Sequence, residues 1–169
     1  MAIGSSAICG TFKREILAGI HFFTQHTRTG SSAIAADTFK IAMFTNSASI
    51  DADTTGYTTS NEVSGTGYSA GGAALGSVTL GLSDNSSAVP TAFLDFADTT
   101  FSSSTISSAR GALIYNSTLS SAGTGATTNH AADPAVAVLN FGGDKSSSAG
   151  DFTIQYPAND ANNAIIRIS

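Results

Sequence analysis

The sequence has no tryptophan, one cysteine and three prolines, and only 11% of its 169 residues are charged. Each shortage excludes something. A lone Cys9 cannot close an intramolecular disulfide or build a cysteine-rich zinc site. The three histidines, His21, His26 and His130, stand at no metal-ligand spacing, so neither a metal nor a cofactor is expected. Seven basic residues against 12 acidic ones, for a net charge of −5, cannot neutralise several phosphates, which argues against a nucleic-acid partner. No apolar run reaches the roughly 18 residues of a transmembrane helix, and no membrane partner is expected. Lys13 and Arg14 precede the apolar stretch Ile16 to Phe23, and the small triplet Ala33-Ile34-Ala35 follows. Gly19 and His21 interrupt that stretch and Glu15 sits among the basic residues, so it reads as a helix and not as a cleavable leader.

What is present is 41% hydrophobic residues, enough for a core, with polarity supplied by Ser, Thr, Asn and Gly. Phe12, Ile16, Ile20 and Phe23 recur at helical spacing and predict a helix from Thr11 to about Thr24, with Thr11 as N-cap. From Phe39 the texture changes to short apolar runs: Phe39 to Thr45, Ala73 to Leu82, Thr91 to Phe96, Ala112 to Tyr115, Ala135 to Phe141, Phe152 to Tyr156 and Ala164 to Ile168. Turn-rich clusters separate them, among them residues 82–87 and Gly142 to Ser148. The expected fold is therefore mainly β: a single β-sandwich, jelly-roll-like, with one N-terminal α-helix. Residues 1–38 form the arm and helix, and 39–169 the sandwich. Residues 47–72 and 117–133 read as long polar loops suited to contact.

Catalytic patterns fail one by one. Gly65-Thr66-Gly67-Tyr68-Ser69-Ala70-Gly71-Gly72 contains G-x-G-x-x-A, but a dinucleotide site needs a buried strand before it and a helix after it. Upstream is polar, and downstream Ala73 to Val78 reads as β. Asp51 and Asp53 match only the first fragment of a calcium loop and read as solvated loop charges. Asp95 and Asp98 flank Phe96-Ala97, and Asp98 suits an Asx-type closure of a strand end. No G-x-S-x-G elbow exists, and His130 lies among small residues. His21 reads as a packed histidine, and Arg110 as the partner of an Asp at a sheet end. The chain is not expected to be an enzyme. Few charges, many hydroxyls and small side chains favour extended contacts with other proteins over sugar binding, which usually needs aromatic platforms.

Segments in order along nearly the whole chain resemble a family of small virion structural proteins of tailed bacteriophages. They are Cys9 to His21, Phe39 to Thr45, Asn61 to Gly72, Leu94 to Asp98, Ala109 to Asn116, Ala135 to Lys145, Gly150 to Pro157 and Ala164 to Ile168. The Thr24 to Thr38 link is longer than the family's usual one. The resemblance implies a virion component, synthesised in the host cytoplasm and placed at the capsid surface. There it would be a decoration (cement) protein bound outside the shell of the major capsid protein, self-associating as a homotrimer. The alternative is a tail, neck or fibre-associated protein acting as a host-surface adhesin. Ile3, Ile8, Phe12, Ile16, Ile20 and Phe23, with Phe22, are more apolar groups than one face of a short helix can bury at home. They are the candidate partner-contact residues.

Overall fold

The computed structural model describes residues 3–27, 30, 32–83, 90–125 and 129–169. The class is the expected one: mainly β, antiparallel, with one helix near the N-terminus. The elements are β1 (Ala7–Ile8), α1 (Gly10–Leu17), β2 (Phe39–Phe44), β3 (Gly65–Thr66), β4 (Ala73–Ala74), β5 (Thr79–Leu82), β6 (Ala92–Asp95), β7 (Thr99–Asn116), β8 (Ala135–Ile154) and β9 (Ile166–Ile168). The chain divides into two compact units. The first comprises residues 1–74 and 101–152, and the second 75–100 and 153–169.

The first unit is built on a sheet of order β1-β8-β7-β2-β4, with β3 added to β7. Its core lies where β2, the C-terminal end of β7 and the N-terminal end of β8 run together. Phe39, Ile41 to Phe44, Ala112 to Tyr115 and Ala135 to Val138 are all buried there. β2 is buried on both faces, and its register explains how. Phe39 stands opposite Asn116, and Lys40 opposite Tyr115, so each pair shares a face. The face of Phe39 is covered by the N-terminal arm, whose Phe23 ring stacks on Phe39 at 4.3 Å. The face of Tyr115 is covered by the 57–72 segment, with Tyr57 stacked on Tyr115 at 4.6 Å.

The helix is shorter than its apolar spacing predicts and starts elsewhere. Cys9, in extended conformation, is the N-cap, and Ala52 O takes the Gly10 N–H at 2.8 Å. Thr11 lies inside the first turn, and its buried hydroxyl has no hydrogen-bond partner among the described residues. At the other end Gly19 takes φ +68°, with Gly19 N on Ile16 O and Ile20 N on Glu15 O. That pair of bonds is a Schellman closure, which ends the helix at Leu17 although the apolar spacing continues. An eight-residue helix is marginal alone, and burying Phe12 contributes about 2–3 kcal/mol.

Four strand expectations are also corrected. Ala73 to Leu82 is broken into β4 and β5. Ala112 to Tyr115 is only the C-terminal part of the 18-residue β7, and Ala135 to Phe141 and the first three residues of Phe152 to Tyr156 are joined in the 20-residue β8, which ends at Ile154. The Gly142 to Ser148 cluster, expected to turn, is strand throughout. Of the 82–87 cluster, residues 84–87 lie outside the described residues, as do 126–128 of the 117–133 loop.

The second unit carries a three-stranded antiparallel sheet, β5-β6-β9. Leu94, Phe96, Ile154, Ala164 and Ile166 are its buried apolar residues. Gly81 faces Phe93, whose ring lies across the glycine so closely that a Cβ there would overlap it. Tyr156 closes the unit: its backbone N–H reaches Asp98 Oδ1 at 2.9 Å, and its ring meets Phe96.

Candidate functional site

The sequence places the contact surface on the arm, and the structure buries part of that set. Ile3 and Phe12 are inside the first unit, while Ile8, Ile16, Ile20 and Phe23 are half-buried. Packing that one helical face could not provide is achieved because the chain leaves the helix at Gly19. It then lays His21 and Phe23 against Phe12 and Phe39. Among the described large apolar residues of the arm the most open to a partner is Leu17, 90% exposed at the last helical position.

A second apolar surface lies in the other unit. Leu80 pairs with Leu94 and Leu94 with Ile166, while Leu82 pairs with Ala92 and Ala92 with Ile168. Opposed residues share a face, so these two rows form one apolar side of the sheet. Leu94 and Ile166 are buried, but Leu80, Leu82 and Ile168 keep 54%, 61% and 56% of their surface exposed. The signal was in the sequence as matched alternation in three short runs: Leu80 and Leu82, Ala92 and Leu94, Ile166 and Ile168.

β7 and β8 present a third surface, rich in hydroxyls. Beneath it the buried Ser104 Oγ lies 2.7 Å from Ser147 Oγ and donates to Gly150 O, and Ser147 Oγ also accepts the Ile106 N–H. Ser146 Oγ accepts the Ser108 N–H, and Asp151 accepts the Ser103 N–H. Ser103, Ser108 and Ala149 have positive φ, so the ladder is interrupted where these side chains take over as acceptors. Arg110 meets an aspartate, Asp144, at 3.6 Å as the sequence suggests, but the pair stands in the interiors of β7 and β8 and not at a sheet end.

The long 47–72 segment is anchored by one carboxylate. Glu62 accepts Tyr57 OH and Tyr68 OH, each at 2.6 Å, and the Gly71 N–H at 2.8 Å. Tyr68 OH in turn accepts the Met43 N–H, and Tyr115 OH donates to Gly71 O. Burial and the neighbouring carboxylate push both Tyr57 and Tyr68 up, so each phenol keeps its proton. A Cβ at Gly72, where φ is +69°, would overlap the Ile41 carbonyl oxygen. The glycine-rich run is thus a clasp against β2 and is followed by β4, with no helix to receive a pyrophosphate.

The carboxylate pairs do local work. Asp51 Oδ1 accepts the Asp53 N–H, an Asx turn. Asp98 caps no local turn; it reaches the Tyr156 N–H across 58 residues, because the strand it closes is met by the chain after β8. Asp95 is buried, with Oδ1 on the Phe96 N–H and Oδ2 without a partner among the described residues, and burial raises its pKa. Among the described residues no group of three His, Cys, Asp or Glu could hold a metal ion, and no helix is long and apolar enough to cross a membrane.

One titratable cluster is fully enclosed. His21 Nε2 lies 2.9 Å from Glu15 Oε2, and its Nδ1 lies 3.0 Å from Asn116 Nδ2. The His21 side chain is 0% exposed and that of Glu15 1%. The packed histidine was legible in the apolar stripe; the buried glutamate was not. The chain matches no family model, no curated protein and no solved structure.

Proposed function

We propose that this chain is a structural protein of a tailed-bacteriophage virion, a decoration protein that binds outside the major capsid protein shell and stabilises it. The observation that carries the reading is the sheet side bearing Leu80, Leu82 and Ile168, apolar groups held in water on a chain with few charges. Leaving three large aliphatic side chains about half exposed forgoes roughly 1 kcal/mol each, which an assembly contact recovers. The hydroxyl-rich β7–β8 surface supports the same role. Exposed short side chains already tied by hydrogen bonds, such as Ser146 on the Ser108 N–H, lose little entropy when a neighbour covers them. Self-association as a homotrimer belongs to this proposal.

The test is copy number. Quantitative mass spectrometry of purified virions, scaled to the major capsid protein, should find hundreds of copies per particle. A dozen or fewer would overturn the shell assignment and favour a neck, tail or fibre location. Light scattering on the purified chain checks the trimer, and a monomer at micromolar concentration would count against it.

A further inference from the structure

We infer that the enclosed Glu15–His21–Asn116–Asp37 chain is an acid-sensitive latch, which holds the N-terminal helix and the segment after it on the sheet and opens when His21 takes a second proton. This inference does not depend on the proposed role in a virion.

The latch follows from donor and acceptor roles. Asn116 has both ends of its amide committed. Its Oδ1 accepts the Thr118 N–H at 3.0 Å, and its Nδ2 donates to Asp37 Oδ2 at 2.8 Å. The group facing His21 Nδ1 is therefore an N–H, so Nδ1 must be the bare, accepting nitrogen. The proton then sits on Nε2 and is donated to Glu15 Oε2. A second proton on Nδ1 would point one donor at another. Turning the amide over does not help: it would set Oδ1 against Asp37 Oδ2 and Nδ2 against the Thr118 N–H, replacing one clash with two. The ring is closed to bulk solvent, which therefore does not take the proton's hydrogen bond while the side chain stays enclosed.

Charged groups surround the ring unevenly. Helix α1 contributes Glu15, whose other oxygen lies 3.5 Å from Arg14 Nη2. The segment before β2 contributes Asp37, and the 117–133 loop contributes His130. Arg14 is itself tied to Asn129 O at 2.6 Å. Phe12 and Phe39 enclose the ring from α1 and β2. Glu15 and Asp37 favour the imidazolium, but burial outweighs them, and the folded-state pKa of His21 lies below its ordinary value.

The sign follows. An open arm binds the second proton from pH about 6.5 downward, and the docked arm does not until lower pH. Docking is therefore at full strength above pH about 6.5 and weakens as pH falls toward the folded-state value. The same site couples both ends of the arm: Asp37 Oδ2 also accepts the Phe22 N–H, so losing the network frees residues on either side of His21.

The experiment is a pH series on the full chain. Imidazole nitrogen NMR should place the neutral-state proton of His21 on Nε2, with His21 titrating below the ordinary histidine value of about 6.5. Amide hydrogen exchange, corrected for intrinsic rates, should quicken at Ala18, Gly19 and Ile20 by about tenfold or more between pH 7 and pH 5, and stay unchanged at Ala42 in β2. In Asn116→Asp a carboxylate faces Nδ1, so His21 should titrate higher and the arm should keep its protection at pH 5. A proton on Nδ1 at neutral pH, titration of His21 at or above about 6.5, or arm exchange independent of pH would each overturn the latch. The wild-type measurements decide the matter even if the variant does not fold.

Discussion

Tyr68 donates its phenolic proton to Glu62 over 2.6 Å while its oxygen receives the backbone N–H of Met43 in β2. One hydroxyl therefore ties the 57–72 segment to a core strand twice. Tyr68→Phe removes both bonds and should cost about 1–3 kcal/mol, read as a lower urea midpoint with unchanged slope. Glu62→Ala strips the acceptor from Tyr57, Tyr68 and Gly71 together and should cost more than Tyr68→Phe. Equal or smaller loss in the glutamate variant would mean the carboxylate is not the anchor.

Gly81 and Phe93 pair across β5 and β6, and the ring occupies the place of the missing Cβ. Gly81→Ala should destabilise the second unit by about 1–3 kcal/mol through overpacking. Adding Phe93→Leu should recover part of that loss, giving a coupling energy in a double-mutant cycle. Additive losses would show that the two positions do not meet.

Cys9 is buried, and enclosure together with the nearby Asp51 and Glu15 pushes its thiol up to about 12. A disulfide reagent at pH 8 should leave the native chain unlabelled and modify it once urea unfolds it. Because the unfolded thiol ionises near pH 8.5 and the folded one near 12, this group's contribution to stability is lost as pH rises through that window. Rapid labelling of the native protein would refute the buried placement.

Leu80→Ser combined with Leu82→Ser should leave the β circular dichroism signal intact, since both side chains are about half exposed. The same change should lower the amount of protein retained on capsid particles lacking it, by about tenfold if two aliphatic contacts are lost. Undiminished retention would remove this face from the proposed contact.

The sequence announces the β class, β2 and the existence of an N-terminal helix, because each rests on local periodicity. It misplaces the helix end because Ile20 and Phe23 keep the helical spacing after Gly19 has turned the chain. The long strands are hidden for a different reason. Gly142 to Ser148 has the composition of a turn, and it is held extended by partners about 40 residues away in β7, such as Ser108 on Ser146. Glu15 was legible as a charge but not as a buried one, since its partner His21 is oriented by Asn116, 95 residues further on. The apolar rows of the second unit were within reach: three pairs of alternating aliphatic residues were on view, but their shared face appears only once the register is known.

β1 also bears on how the chain is made. Ala7 pairs with Val138 and Ile8 with Ala137, so β1 has its partner 131 and 129 residues further along the chain. On a ribosome adding about 5–20 residues per second, that edge waits on the order of ten seconds for a mate. Until β2 and β7 are both made, the nascent arm carries Phe12, Phe22 and Phe23 with no sheet to receive them, a stretch of chain for a chaperone to shield.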